Sequence, residues 1–255
     1  MKIIILVAYL SCILLSFKKD RTGLNESISS SNVAVNASSR SLTNSGDHNG
    51  TVSDIDGNTY KTVQIGTQLW MAENLRTTKY QNGTPIPNVT DNAKWKKLTT
   101  GAWCYYNNDA ANNTLYGKLY NWYAVKNTNR LCPKGWHVPT NAEWNKLLKF
   151  LEPSADTTLC CNNQAGNKMK TKGIQYWQSP NQKATNSSGF SGLPGGARNL
   201  NGSTFNYMGQ TGYWWSETET ITKSGYGRFL FYLNGTLTRF NGVKSDGFCV
   251  RCLKD

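Results

Sequence analysis

The sequence predicts an α+β fold with two helices, short antiparallel strands and a large share of irregular loop. In the first half, apolar side chains recur at helical spacing in two segments, residues 116–125 and 142–151. In the second half, short aromatic runs alternate with glycines, a pattern typical of antiparallel strands and turns. Hydrophobic residues make up 38% of the 255 residues, which is enough to fill one sizeable core.

The N-terminal segment has the pattern of a secretory signal peptide. Met1 and Lys2 precede an apolar run at residues 3–17. As a helix this run would reach roughly 22 Å, which is short of the hydrocarbon core of about 30 Å. We therefore predict a signal peptide at residues 1–17 and export to the periplasm, the outer surface or the medium; a retained membrane anchor is the alternative. Residues 18–51, rich in Ser and Asn, are predicted to be a flexible tether or a trimmed leader.

The folded domain is predicted to cover residues 52–255 and to begin with a hairpin. Residues 59–65 and 68–71 alternate imperfectly between apolar and polar side chains, and Gly66-Thr67 separates them. Residues 101–106 are predicted as another aromatic strand. Residues 116–125 are predicted as the first helix because four apolar side chains share one face: Tyr116, Leu119, Trp122 and Tyr123.

The second helix, predicted over residues 142–151, has the clearest local signals. Thr140 can cap its N-terminus, and Glu143 lies three residues on, which is the capping-box arrangement. Pro153 ends it. Its apolar face is formed by residues spaced i, i+3, i+4 and i+7: Trp144, Leu147, Leu148 and Leu151.

The C-terminal part is predicted to contain short strands at residues 212–218, 228–233, 236–240 and 248–253. Asn234-Gly235 separates two of them. Because this dipeptide accepts positive φ angles, a hairpin with a type I′ turn is predicted there.

The chain is strongly basic, with a formal net charge of +13 and clusters of lysine at residues 94–97 and 168–172. For an exported protein this charge favours acidic glycans or an anionic cell surface over nucleic acid as partners. A solvated surface is the simpler interpretation of either cluster.

The cysteine content indicates disulfide bonds. Without Cys12, which lies in the predicted signal peptide, an even number of cysteines remains in the exported part. If residues 248–253 form a strand, Cys249 and Cys252 face opposite sides about 10 Å apart, whereas a disulfide requires less than about 7 Å between Cα atoms. They should therefore not form a Cys-x-x-Cys redox pair.

The sequence contains no clear catalytic or metal-binding constellation. Of the two histidines, His48 lies in the predicted tether and His137 in a short apolar strand, where a structural role is expected. The spacing of His and Cys does not match a zinc site, so no metal or other cofactor is predicted. Asp54-x-Asp56-x-Asn58 resembles the start of a calcium loop, but its glycine falls at the fourth position, and a turn before the first strand is favoured.

Trp214 and Trp215 are the best hint of a binding face. Adjacent residues of a strand point to opposite faces, so at least one indole should approach the surface or a second buried layer. An exposed indole could cover the apolar face of a sugar ring. Both are therefore predicted as candidate ligand-binding residues.

Seven segments, taken in order, resemble the Fibrobacter succinogenes major paralogous domain family, which is similar to C-type-lectin-like and formylglycine-generating-enzyme-like proteins. The resemblance covers most of residues 54–255. It rests on these segments: Asp-Gly-Asn-Thr-Tyr-Lys-Thr-Val-Gln-Ile-Gly at 56–66, Gln-Leu-Trp-Met-Ala-Glu-Asn-Leu at 68–75, Tyr-Gly-Lys-Leu-Tyr-Asn-Trp-Tyr at 116–123, Cys-Pro-Lys-Gly-Trp-His-Val-Pro at 132–139, Gly-Phe-Ser-Gly-Leu-Pro-Gly-Gly at 189–196, Gly-Tyr-Trp-Trp-Ser-Glu-Thr at 212–218 and Val-Arg-Cys at 250–252.

The resemblance implies a C-type-lectin-like fold and a disulfide between Cys132 and Cys252. Closing a loop of roughly 120 residues is worth about 4 to 5 kcal/mol in the chain-entropy model. The resemblance assigns no partner to the remaining cysteines: Cys104, Cys160, Cys161 and Cys249. Family members are often lipoproteins, but Phe17 occupies the position expected for the acylated cysteine, and the residues before Cys12 match a lipidation motif poorly.

We expect an exported, non-catalytic module that binds a glycan, a surface polysaccharide or a surface protein. Membrane attachment would then depend on an uncleaved signal peptide or on a lipid at Cys12. The alternatives are an enzyme or enzyme accessory of the formylglycine-generating-enzyme-like class and a purely structural envelope component. The enzyme alternative would use a cysteine pair near the C-terminus, and the spacing of Cys249 and Cys252 differs from that pattern.

Overall fold

The computed structural model describes residues 50–199 and 204–255, which form a mixed α+β structure, as predicted, with more strand than helix. The predicted signal peptide, Cys12, His48 and tether residues 18–49 lie outside the described residues. Gly50 and Thr51, predicted as the end of the tether, belong to the first strand, so the folded part includes two residues more than predicted.

Twelve strands and five α-helices follow one another along the described residues. The strands are β1 (Gly50–Ser53), β2 (Thr59–Ile65), β3 (Gln68–Met71), β4 (Trp103–Cys104), β5 (Leu119–Tyr120), β6 (Trp136–His137), β7 (Gly195–Arg198), β8 (Phe205–Met208), β9 (Thr211–Ile221), β10 (Ser224–Phe231), β11 (Thr238–Val243) and β12 (Leu253–Lys254). The helices are α1 (Asn92–Lys96), α2 (Asn113–Tyr116), α3 (Trp122–Val125), α4 (Asn141–Leu151) and α5 (Gly166–Met169).

The first sheet brings the two ends of the domain together, in the strand order β1-β2-β3-β12-β6. The predicted hairpin is confirmed: β2 and β3 pair antiparallel, and Gly66 turns between them with a φ of 61°. At the other end of the chain, Leu253 of β12 pairs with Trp70 on one side and His137 on the other. The last strand therefore completes a sheet that the first strands begin.

The second sheet has the order β11-β10-β9-β7-β8 and is antiparallel except where β7 meets β9. A separate two-stranded ladder joins β4 and β5. Two clusters of buried side chains fill the interior, and the second sheet lies between them: Trp214 of β9 belongs to one cluster, and Trp215, next in the chain, to the other. Because adjacent residues of a strand point to opposite faces, Trp214 and Trp215 pack into different clusters.

Helix α4 forms as predicted. Thr140 Oγ1 accepts a hydrogen bond from the backbone of Glu143 at 3.2 Å, and the Glu143 carboxylate accepts one from the backbone of Thr140 at 2.8 Å. The four residues predicted as its apolar face are buried: Trp144, Leu147, Leu148 and Leu151. Local capping and periodicity were sufficient to define this element.

The prediction of one helix over residues 116–125 is wrong. Helix α2 ends at Tyr116, and Gly117 follows with a φ of 74°. A Cβ at Gly117 would lie 2.9 Å from both Asn74 Cβ and the carbonyl oxygen of Leu75, so the chain turns here against another loop. Leu119 and Tyr120 then pair with β4, and only residues 122–125 are helical again. The long-range strand pairing overrides the apolar periodicity.

Two strand predictions also need correction. The predicted strand at 101–106 is regular only at Trp103–Cys104 and is followed by a 3₁₀ turn. Residues 248–253 form isolated bridges at Phe248 and Cys249, and regular strand resumes only in β12.

The predicted type I′ turn at Asn234-Gly235 is also wrong, although β10 and β11 do pair as a hairpin. Neither residue has a positive φ. Gly235 instead lies against helix α5, because a Cβ there would lie 2.2 Å from Asn167 Oδ1.

Buried cationic side chains anchor the irregular loops. Arg198 donates to the carbonyl oxygens of Val89 and Thr90 at 2.8 and 3.0 Å, and Arg251 donates to those of Phe190 and Ser191. Lys170 is fully buried and donates to three carbonyl oxygens, those of Gln182, Phe231 and Asn234. Burial lowers the pKa of Lys170 to about 8. These side chains donate hydrogen bonds to carbonyl oxygens of loops, where regular strand pairing provides no donor.

The two predicted lysine clusters therefore differ. Lys94, Lys96 and Lys97 are exposed on α1 and its end, as expected for a solvated surface. In the second cluster Lys168 and Lys172 are exposed, as expected for a solvated surface, but Lys170 is part of the core.

Candidate functional site

A row of aromatic side chains, Tyr207, Tyr213, Phe229 and Phe240, lies on one face of the second sheet, and we call it the aromatic face. The strand register brings these rings together: Phe229 of β10 lies opposite Tyr213 of β9, and Phe240 of β11 lies opposite Gly227. Side chains at paired positions share a face, so the three strands contribute to one surface.

The rings of the aromatic face are in mutual contact. The centroid of Tyr213 lies 5.6 Å from that of Phe229 and 5.7 Å from that of Phe240, and Phe229 and Phe240 are themselves 5.7 Å apart. Tyr207, from β8, extends the row at 6.3 Å from Tyr213. Phe248 lies beneath the row and stacks on Tyr213, with 5.3 Å between the ring centroids and an interplanar angle of 19°.

Exposure increases outward along this row. Tyr213 is 5% exposed and belongs to the core. Phe229 and Phe240 pack against that core while remaining partly exposed, and Tyr207 is 47% exposed. The aromatic face thus presents partly exposed rings to solvent on both sides of the buried Tyr213.

Two glycines make room for aromatic rings, one on the aromatic face and one in the core beneath it. A Cβ at Gly227 would lie 2.6 Å from the ring of Phe240, and a Cβ at Gly242 would lie 2.6 Å from the ring of Trp215. The missing side chains let the aromatic rings lie across the neighbouring strands. The alternation of glycine and aromatic residues at 225–231 is the sequence signal that could have located this face.

Tyr207 holds an unusual backbone conformation, with a φ of 68°. Its carbonyl accepts a hydrogen bond from Gln210 N at 3.0 Å, which closes the turn into β9. A bulky residue in the left-handed region costs about 1 to 3 kcal/mol, and such strain clusters at functional sites. The most exposed ring of the row is therefore carried by a residue whose backbone conformation favours glycine.

The two tryptophans predicted as ligand-binding residues lie inside the protein. Trp214 and Trp215 are both 0% exposed. The Nε1 of Trp214 donates to Asn74 Oδ1 at 2.8 Å, and that of Trp215 donates to the carbonyl oxygen of Tyr120 at 2.8 Å. The expected second buried layer is therefore present, and neither indole offers a face on which a sugar could stack.

The cysteines are arranged as structural groups. The Sγ atoms of Cys132 and Cys252 lie 2.02 Å apart, which is a disulfide distance, and the bond ties the segment before β6 to the segment before β12. Cys249 is buried, and burial raises the pKa of its thiol to about 12. Because Cys252 is already bonded, Cys249 and Cys252 do not form a redox pair.

His137 is held between two carboxylates. Its Nε2 lies 2.9 Å from Glu143 Oε1, and its Nδ1 lies 2.6 Å from Asp255 Oδ1. The hydrogen bond with Glu143 is the main cause that raises the pKa of His137 to about 9. Burial acts to raise the pKa of Glu143, but hydrogen bonds from His137 and Thr140 lower it to about 2. Through its two ring nitrogens, His137 joins β6 to α4 and to Asp255.

Asp54 organises the predicted turn before β2. Its carboxylate accepts hydrogen bonds from the backbone of Asp56 at 2.9 Å and from the backbone of Asn58 at 3.0 Å, and it also accepts one from Tyr60. Asp56 in turn accepts hydrogen bonds from the backbone and hydroxyl of Thr78. The carboxylate oxygens of Asp54 and Asp56 thus accept hydrogen bonds from within the protein. Across residues 50–199 and 204–255, no group of three acidic, His or Cys side chains is placed to hold a metal ion.

A groove of about 440 Å³ runs beside the Cys132–Cys252 disulfide, lined in part by Lys126, Arg130, Glu217 and Asp255. Both signs of charge line it, and Lys126 and Glu217 form an ion pair across 3.9 Å. His137 also lines the groove, with its two ring nitrogens held by Asp255 and Glu143.

In a comparison with known protein families, the family described as Fibrobacter succinogenes major domain matches residues 63–254. No curated protein and no solved structure matches the chain. Among the helices that the structure describes, none is long and apolar enough to cross a membrane.

Proposed function

The chain belongs to the Fibrobacter succinogenes major domain family, and we propose that it is an exported, non-catalytic module that binds a glycan or surface polysaccharide through its aromatic face. The observation that carries this proposal is the row in which the buried ring of Tyr213 connects Tyr207 with Phe229 and Phe240, and whose outermost ring, Tyr207, is 47% exposed.

The chemistry of the row suits a sugar. A pyranose ring has an apolar face of C–H groups, and aromatic rings form a flat, apolar complement to it. The hydroxyls of Tyr207 and of Thr238, which pairs with Phe229 and points to the same side of the sheet, can provide the polar contacts that orient a ligand. The rings come from β8, β9, β10 and β11, so no loop movement is needed to assemble them.

Two further features support the proposed location and fold. A disulfide of long loop span is typical of proteins that mature in an oxidising compartment, which agrees with the predicted export. We propose a C-type-lectin-like fold for this domain. In such a fold we expect the last strand to pair with the first hairpin and a second sheet to be joined by long loops. The exposed lysines of α1 would favour anionic polymers near the cell surface.

The test is a binding screen with the oxidised protein against a glycan array and insoluble cell-wall polysaccharides. Tyr207→Ala and Phe240→Ala should each weaken retention about 3- to 10-fold, because one aromatic contact contributes about 0.5 to 1.5 kcal/mol. Tyr207→Phe keeps the ring and should retain most of the binding.

Phe150→Ala is the matched control. Phe150 is 43% exposed on α4, and its ring packs against Gly66 of the first sheet rather than on the aromatic face. This variant should bind like the wild type. Absence of retention on any glycan, or equal weakening by Phe150→Ala, would contradict the proposal and favour a structural envelope component.

A further inference from the structure

Four cysteines remain in the described part of the chain after the Cys132–Cys252 bond, and two of them are buried too far apart to pair. Cys104 pairs with Leu119 across β4 and β5, and on the other side of β5 Tyr120 pairs with Phe248, next to Cys249. Cys104 and Cys249 therefore flank β5 on opposite sides. Two strand spacings separate them by roughly 10 Å, beyond the limit of about 7 Å for a disulfide.

The other two, Cys160 and Cys161, are adjacent in sequence, and their Sγ atoms lie 2.6 Å apart. This separation is shorter than a van der Waals contact between sulfurs and approaches the bonded distance of about 2.05 Å. Cys160 is exposed and Cys161 is partly exposed, so an external oxidant or reductant can reach them.

The loop that carries this pair is fixed to the edge of the second sheet. The carbonyl oxygen of Cys160 accepts a hydrogen bond from Arg239 N of β11 at 2.8 Å. The guanidinium of Arg239 donates two hydrogen bonds to the same loop, to the carbonyl oxygens of Thr157 and Thr158 at 3.1 and 2.8 Å. Because β11 is an edge strand, this loop covers backbone groups that would otherwise be open to pairing with another chain.

After the cysteine pair, a second contact holds the same loop. The side chain of Asn163 donates to the carbonyl oxygen of Leu237 at 3.1 Å and accepts from Leu237 N at 2.9 Å. The backbone is thus anchored on both sides of Cys160 and Cys161, which keeps the two side chains together.

We propose that Cys160 and Cys161 form a disulfide between adjacent residues, which acts as a redox-sensitive clip on the loop that covers β11. On oxidation the two S–H bonds break and one S–S bond forms. The two protons and two electrons pass to a disulfide oxidant, such as glutathione disulfide or an oxidase disulfide, which is released as two thiols. Adjacent Cα atoms are only about 3.8 Å apart, below the usual disulfide range that begins at about 4.4 Å. This bond should therefore be reduced before Cys132–Cys252, which is buried and has a Cα separation of 5.9 Å.

Mass spectrometry of the non-reduced protein, alkylated in denaturant and digested, tests the bond. We expect alkylation at Cys104 and Cys249, which serve as internal thiol references. The peptide with Cys160 and Cys161 should carry no alkyl group and should be lighter than the dithiol form by two hydrogen atoms. Alkylation of both residues without reductant, or a link from either one to Cys104, Cys249 or another molecule, would overturn the proposal.

Hydrogen exchange tests the clip. Mild reductant that leaves Cys132–Cys252 intact should accelerate exchange in peptides that contain Arg239, because opening the ring frees the Cys160 carbonyl. The double variant C160S/C161S should show the faster exchange from the start and no response to reductant. If the bond is present and exchange at Arg239 does not respond to its reduction, the clip is refuted.

Discussion

The side-chain oxygen of Asn74 accepts a 2.8 Å hydrogen bond from the indole of Trp214, 140 residues later in the chain. The same oxygen accepts a bond from Arg251 Nε at 3.0 Å, and the Asn74 amide donates to the carbonyl oxygen of Tyr116 at 2.8 Å. One buried amide thus joins the loop after β3 to α2, β9 and the C-terminal segment.

Removing this amide should be costly. Asn74→Ala leaves buried donors of Trp214 and Arg251 without their shared acceptor, and we expect a loss of about 3 to 5 kcal/mol in the free energy of unfolding. Urea denaturation measures it. Asn82→Ala, at an exposed turn where the side chain accepts only from Thr84 N, is the control and should cost about 1 kcal/mol or less. Similar losses in the two variants would contradict this role of Asn74.

The backbone of Tyr207 predicts a difference between two small substitutions. Both Tyr207→Ala and Tyr207→Gly remove the ring, but only glycine tolerates the φ of 68° without strain. We therefore expect the glycine variant to be more stable than the alanine variant by about 1 kcal/mol. Thermal and urea unfolding of the two proteins provide the comparison, and an alanine variant of equal or greater stability would show that this position is not strained.

The contact between His137 and Glu143 predicts a pH dependence of stability. The folded protein raises the pKa of His137 from 6.5 to about 9, so its stabilising contribution is complete below pH 6.5 and is lost as the pH rises through 9. The pKa of Glu143 falls from 4.5 to about 2, so its contribution is present above pH 4.5 and is lost as the pH falls towards 2. The pair therefore stabilises most between pH 4.5 and 6.5.

His137→Gln should remove the alkaline part of this dependence. Between about pH 6 and pH 9.5 the wild type should lose about 1 kcal/mol more than the variant, an amount reduced by the partial exposure of the pair. Chemical denaturation at the two pH values measures the difference. Parallel losses in both proteins would show that the contact contributes no net stability.

The Cys132–Cys252 bond should provide a large part of the stability. Its sequence separation is 120 residues, and C132S/C252S should lower the free energy of unfolding by about 4 to 5 kcal/mol. C160S/C161S is the matched control, since a ring closed by adjacent residues constrains the unfolded chain very little. Urea unfolding of both double variants should show a loss several times larger in the first, and equal losses would contradict the loop-closure account.

Some of the fold could be predicted from the sequence because the signals are local. The capping box at Thr140 and Glu143 and the buried face of α4 depend on residues within a few turns of each other. The turn at Asp54 depends likewise on hydrogen bonds within the same short segment. The Cys132–Cys252 pairing was expected only from the family resemblance, since residue spacing alone left its partners open.

The candidate site was missed because exposure is not a local property. Trp214 and Trp215 had the composition of a binding platform, yet layers on both sides of β9 cover them, contributed by residues far away in the chain. The alternation of glycine and aromatic residues at 225–231 marks a strand packed closely against aromatic rings, but only the strand register shows that Phe229 and Phe240 lie beside Tyr213.

By itself the sequence determined the family, the α+β class, the capped helix α4 and the hairpin of β2 and β3, since each rests on a motif or on hydrogen bonds between near neighbours. Only the tertiary structure decided where the chain breaks at Gly117, which aromatic rings reach solvent and how the cysteines are distributed. Those outcomes depend on close packing between segments distant in sequence, where a contact such as Asn74 against Gly117 overrides local periodicity.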